Sequence, residues 1–288
     1  HIDHRAVSRY VALRDVTHSV GFIEDLLPEA RPLPSSVALL VSESTERWDM
    51  AGIARDRAGH DLFGKDFRKA RLHYHLERLG LWKAFTFAGS TPDLVTEEDV
   101  LQGKLGKARL LVLVGDHWKA GLIPAVEAWV KDGGVVLSTA GAGAHDEYGQ
   151  PLKGAWEKVA GVKPLGVKVT DTFFRPRQEL PFLKPIHEVQ GDGWKMPALA
   201  VASIAEPEEG TEVLARAGKA PAVTIRKLGK GAVLHVGALP GVAYLWSALQ
   251  PPIVPDRGAG THSVPTKFDE GAAALVQAAL KAANVPPD

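Results

Sequence analysis

The 288-residue chain contains no cysteine. Disulfides, zinc–thiolate sites, iron–sulfur clusters and thiolate nucleophiles are therefore excluded. Compartment stays open and localisation unknown, because a cysteine-free chain suits reducing and oxidising surroundings alike. An excess of one charge is also missing: 34 Lys and Arg balance 34 Asp and Glu. The chain thus lacks the basic surplus of a nucleic-acid binder, and nothing draws it to an anionic membrane. No apolar run approaches the roughly 20 residues of a membrane span. The chain starts at His1 with neither Met nor a signal-peptide pattern, as expected of part of a longer protein. What is present is ordinary for a globular protein, with 45% hydrophobic and 24% charged residues, enough for a sizeable core without covalent staples.

Hydrophobic spacing organises the chain. Val7, Val11, Val16, Val20, Ile23 and Leu27 recur at helical steps and predict a helix over 4–27, stopped by Pro28. Residues 1–35 read as an N-terminal helix and linker, and 36–288 as one α/β domain. Val37–Val41 is a continuous apolar run, expected of a strand buried on both faces. Ser42–Thr45 and Trp48 read as its exit loop. A helix is predicted over 64–79 with Gly80 as its C-cap, then a weak strand over 82–87. Thr96-Glu-Glu-Asp99 has the form of a capping box opening a short helix. The run 108–114, a helix over 119–132, Gly133-Gly134 and Val135–Leu137 form a strand–helix–strand unit, which makes the two strands parallel. A glycine-rich loop over 140–149 and a helix over 152–160 follow. Residues 171–197, rich in proline and aromatics, read as an irregular excursion. Residues 222–236 read as an antiparallel hairpin turning at Gly229-Lys-Gly231, 250–266 as a loop, and 268–283 as an alanine-rich helix.

Ligands bind beyond the carboxyl ends of the strands in an open parallel sheet. Three exits are polar here: Ser42, Glu43 and Trp48; Asp116, His117 and Trp118; and Ser138, Thr139, His145, Asp146, Glu147 and Tyr148. If the three strands are neighbours, these loops converge on one rim. Such a rim could bind sugar, hold a divalent metal or do acid–base chemistry. The competing reading is that its side chains only cap turns and neutralise one another. Ligand-binding candidates are Glu43, Trp48, Asp116, His117, Trp118, His145, Asp146 and Glu147. Among the seven tryptophans, Trp48, Trp118 and Trp194 are expected to be exposed, and Trp129 to be core. The loop at Gly141-Ala-Gly143 lacks the remaining residues of a P-loop or dinucleotide fingerprint. Neither a Gly-x-Ser-x-Gly elbow nor a His-Glu-x-x-His motif occurs. His73 and His75 are two apart on a predicted helix and make a poor metal pair.

The segments Val37-Ala-Leu-Leu-Val-Ser-Glu-Ser44, Lys107-Ala-Arg-Leu-Leu-Val-Leu-Val114, Ala125-Val-Glu-Ala-Trp-Val-Lys-Asp-Gly-Gly134 and Gly141-Ala-Gly-Ala-His-Asp-Glu-Tyr-Gly149 together resemble the β-galactosidase trimerisation domain of glycoside hydrolase family 42. The hairpin ending Gly229-Lys-Gly-Ala-Val-Leu-His-Val-Gly237 fits the same domain. That domain belongs to the class I glutamine amidotransferase-like superfamily, whose enzymes carry a cysteine on a nucleophile elbow. The matching turn here, Thr139-Ala-Gly-Ala-Gly143, offers no thiol. The resemblance implies a flavodoxin-like parallel sheet with flanking helices and an antiparallel hairpin extension. It implies a non-catalytic domain of a carbohydrate-active protein, with no cofactor and no metal of its own. The partners so implied are further copies of the chain or a separate catalytic domain, and a carbohydrate; nucleic acid and membrane are not among them. Two other readings stay open. One is a sugar-metabolism hydrolase using His145, Asp146 and Glu147 with Asp116 and His117, with or without a metal. The other is a free-standing sugar-binding module.

Overall fold

The structure is a computed structural model and describes residues 8–28, 30, 33–49, 73–170, 179–252 and 267–286. It divides into two compact units, His1–Pro34 and Ser35–Asp288. The first contains helix α1 (Ser8–Ile23), which ends before the predicted 27, while residues 4–7 of the expected helix lie outside the described residues. Its Val11, Leu13, Val16, Val20 and Phe22 side chains are exposed.

In the second unit the chain runs through β1 (Val37–Val41), α2 (Glu43–Asp49), α3 (His73–Phe87), β2 (Asp93–Thr96), α4 (Glu97–Leu101) and β3 (Leu110–Leu113). Then come β4 (His117–Trp118), α5 (Leu122–Lys131), β5 (Val135–Ser138), β6 (His145–Asp146), α6 (Ala155–Ala160), β7 (Val162–Val169), β8 (His187–Gly191) and β9 (Lys195–Ala198). The chain closes with β10 (Val201–Pro207), β11 (Thr211–Ala217), β12 (Ala220–Leu228), β13 (Gly231–Val236), α7 (Pro240–Ser247) and α8 (Glu270–Ala282).

Among the described residues, nine strands form one sheet in the order β2-β1-β3-β5-β13-β12-β11-β8-β9. The first five are mutually parallel and the remainder are antiparallel to their neighbours. The parallel part has the flavodoxin-like winding, in which the chain steps outward from β1 to β2 and then crosses to β3 on the other side. Continuous aliphatic runs serve both faces of this sheet. Val37, Leu39, Leu110, Val112, Val135, Leu137, Leu234 and Val236 face a core with Phe85 of α3, Val242 of α7 and Leu275 of α8. Ala38, Leu40, Leu111, Leu113, Val136 and Val233 face a second core with Val100 of α4, Val126 of α5 and Trp156 of α6. Two smaller pairings lie apart, β7 with β10 and β4 with β6.

Several expectations are corrected. Trp48 is on a helix, not a loop: Ser42 Oγ accepts from Thr45 N at 3.0 Å and so caps α2. The predicted stop at Gly80 and strand at 82–87 are one continuous helix, α3. Gly80 is there for close packing, since a Cβ would collide with the backbone of Gly241 on α7. The part of that predicted helix before His73 lies outside the described residues. The expected irregular excursion contains β8 and β9, with 171–178 outside the described residues. Most of the predicted 250–266 loop is likewise outside them. The capping box at Thr96 is present: Thr96 Oγ1 accepts from Asp99 N at 3.2 Å, and Asp99 Oδ2 accepts from Thr96 N at 2.9 Å.

Candidate functional site

β1, β3 and β5 are neighbours, so their exit loops share one edge of the sheet. The connections leave β1 and β3 in opposite directions, which opens a crevice at their carboxyl ends. Ser42 Oγ and Thr45 Oγ1 both donate to His117 O, at 2.8 and 2.7 Å, and lock the start of α2 to the exit of β3. Gly115 (φ +116°) lets this happen, because any side chain there would run into Thr45. The exits of β3 and β5 pair as β4 and β6, with His117 opposite His145 and Trp118 opposite Asp146. His145 N donates to Asp116 O at 2.8 Å.

This framework stacks three rings. Trp48 lies on His117 with ring centres 5.0 Å apart, and His117 lies on His145 at 4.8 Å, the planes within about 16° of parallel. Asp116 Oδ1 sits 2.7 Å from His117 Nδ1 and orients the middle ring. Trp48 Nε1 donates to Glu147 O at 3.2 Å, and the indole packs on Gly149, whose φ of +81° and missing side chain leave room for it. Trp48 remains 46% exposed and Tyr148 76%, so the platform reaches solvent. The buried His145 Nδ1 has no hydrogen-bond partner.

The other candidates take different places. Asp146 Oδ1 accepts from Tyr148 N and Gln150 N, at 2.9 and 2.7 Å, and shapes the loop. Glu147 Oε2 accepts from Ala120 N at 3.0 Å. Glu43 points to solvent and pairs with Arg47 at 2.8 Å. Trp118 was expected to be exposed and ligand-facing, but it is fully buried, edge-on to Trp156 at 5.4 Å. Trp194 and Trp129 are each partly buried. Of the histidine pair on α3, His73 is buried and His75 exposed. Among the described residues, no three His, Asp or Glu side chains gather closely enough to hold a metal ion.

Two acids that sequence reasoning missed lie in the same crevice. The buried Glu97 binds three donors: Ser44 N and Ser44 Oγ through Oε2, and Lys119 N through Oε1. It ties α2 to the segment after β4; as part of the capping-box motif it gave no sign of this. Asp49 ends α2 buried, and its Oδ2 has no hydrogen-bond partner among the described residues. Burial first, and then the negative charges of Asp116 and Glu46, push its carboxyl up to about 7 against the opposing pull of His75. Glu46 itself is held low, first by a hydrogen bond from His75 and also by Arg78.

The turn after β5 offers no thiol. Ala140 N donates to Ala238 O at 3.1 Å, and Gly141 and Gly143 have φ of +77° and +62°. Ser138 Oγ meets His235 Nδ1 at 3.0 Å, but both residues are buried, and burial holds His235 down to about 4, so the imidazole is neutral.

Solved structures share this fold. A GH42 β-galactosidase from G. stearothermophilus matches with a TM-score of 0.51 at 19% identity, over 72% of this chain and 28% of its own. A β-galactosidase from Rahnella sp. matches with 0.57 at 19% identity, over 95% of this chain and 35% of its own. One from the psychrophilic Marinomonas ef1 matches with 0.56 at 15% identity, over 97% and 34%. The chain thus spans about a third of the length of these relatives. No curated protein matches it by sequence. Residues 70–253 match the family model described as the β-galactosidase trimerisation domain. With more than half of its length matched, the chain belongs to the β-galactosidase trimerisation domain family.

Proposed function

We propose that this chain is a non-catalytic association domain of a β-galactosidase-like glycoside hydrolase, joining subunits and seating a separate catalytic domain. The family match over 70–253 carries this reading. Two further facts support it: the chain spans about a third of each β-galactosidase of similar fold, and the turn at Thr139–Gly143 has no thiol. Residues 1–35 serve as an N-terminal helix and linker, and 36–288 as the association domain. The test incubates the chain with a chromogenic β-galactoside and measures its oligomeric state. Association without hydrolysis supports the reading. Hydrolysis abolished by Glu147→Gln or Asp146→Asn would replace it with the alternative in which His145, Asp146 and Glu147 form an active site.

The rim contributes a sugar-lining surface in the assembled protein. The stack of Trp48, His117 and His145 favours this, because the C–H face of a pyranose rests on flat aromatic surface while its hydroxyls take nearby polar groups. Asp116 and Glu147 are polar groups beside this platform. A galactose titration of tryptophan fluorescence, compared with Trp48→Ala, tests the surface. A saturable change lost in the variant supports it; no change in the wild type, alone or assembled, removes it.

A further inference from the structure

We propose that the free edge of β7 seats against the β2 edge of a neighbouring copy, so that copies join head to tail. This rests on the self-association reading above and names the surfaces it uses.

Among the described residues β7 pairs on one side, with β10. Its other edge carries no ladder among the described residues, and residues 163–168 are all exposed. Leu165 is 57% and Val167 49% exposed, and Ile204 on β10 is exposed as well. An unpaired apolar strand of this length is a template for another chain, blunted here only by Pro164 and the lysines. Beside it lies a groove of about 690 Å³ whose floor includes Ile123, Val159, Val162 and Leu228. Its acids are already engaged, Glu127 by Lys131 at 2.7 Å and Glu208 by Arg226 at 3.7 Å. Lys153, Lys158, Lys163 and Lys168 have no carboxylate within ion-pair distance among the described residues, and the exposed Glu206 on β10, opposite Lys163, offsets only one of them, so the combined surface is apolar and net basic.

The complementary surface is at the far end of the sheet. Among the described residues β2 is a terminal strand paired with β1 alone. Leu94 on it is 60% exposed, and Leu101 on the adjoining α4 is also exposed. Asp93 and Asp99 flank them; hydrogen bonds from Thr96, and to a smaller degree the nearby Lys104, hold the Asp99 carboxyl below its usual range and keep it charged. Glu98 is balanced by Lys119. Each surface is therefore an open strand edge with exposed leucine, one basic and one acidic. β7 meeting its own copy would give a two-fold pair, whereas a closed ring of three needs two different surfaces on each copy. The β7–β10 ribbon packs on β12, in the opposite half of the sheet from β2, so both surfaces are available at once.

The experiment compares the wild-type chain with Leu165→Glu and Leu94→Lys by sedimentation, with far-UV circular dichroism confirming the fold. Leu79→Glu, at an exposed leucine away from both edges, is the control. Each edge variant should raise the dissociation constant at least tenfold, the control should behave as wild type, and mixing the two edge variants should restore association. If either edge variant associates as tightly as wild type, the pairing is wrong while self-association stands. If the wild type is monomeric at every concentration, self-association itself fails and the pairing with it.

Discussion

The indole of Trp48 lies flat on the imidazole of His117, ring centres 5.0 Å apart and planes 15° from parallel, although the two come from different strand exits. The contact exists because Ser42 and Thr45 hold the His117 carbonyl against the first turn of α2. Removing the indole should therefore cost more than surface polarity. Trp48→Ala is expected to lower stability by about 1 kcal/mol, the scale of an aromatic pair. His117→Ala should cost at least as much, since it breaks two ring contacts. Chemical denaturation of both variants and the double variant measures the coupling. Strict additivity would mean that the stack contributes nothing.

Gly80 is expected to be intolerant of substitution. A Cβ there meets the backbone of Gly241, which has no flexible side chain to move aside. Gly80→Ala should cost about 1–3 kcal/mol, the range for overpacking a tight contact. A melting temperature equal to wild type would show that α3 and α7 are not in such close contact.

Glu77 gives a pH signature. It is fully buried, Oε2 accepts from Val242 N at 2.9 Å, Oε1 has no partner, and burial pushes the carboxyl up to about 8. Its folded value is raised above its unfolded one of about 4.3. The folded state therefore holds the extra proton between those values, and the associated stability, complete at the lower pH, is lost as pH rises to about 8. Glu77→Gln keeps an acceptor for Val242 N without the charge, so it should gain on the wild type steadily from pH 5 to pH 8. His235, lowered to about 4 by burial, acts in the opposite sense up to its unfolded value of about 6.5. It is common to both proteins and cancels in the difference. Parallel denaturation profiles would contradict the buried-charge assignment.

Much of this was legible in the sequence, for physical reasons. β1, β3 and β5 are continuous aliphatic runs because both faces are covered, and the Gly229–Gly231 turn marks the β12–β13 hairpin. The convergence of three polar exits followed from parallel strands alone. What failed was decided by tertiary packing. α2 is written in polar residues, and only the Ser42 cap betrays it. β7 mixes Lys, Pro and Gly without alternation because almost none of it is buried. Asp49 and Glu97 look like any acids until burial distinguishes them. Trp118, between the partly exposed His117 and Lys119 at a strand exit, turns inward to Trp156, and no local pattern records that turn.

The turn after β5 predicts a missing activity. With alanine and glycine over 140–143 and no thiol in the chain, glutamine should yield no ammonia above background even at high protein concentration. Turnover that persists through repurification would contradict this.

The proposed role of this domain stands or falls on self-association. Sedimentation velocity of the chain across a wide concentration range should show a concentration-dependent species of three times the mass of one chain, dispersed by Leu165→Glu. A single monomeric boundary at every concentration would contradict it.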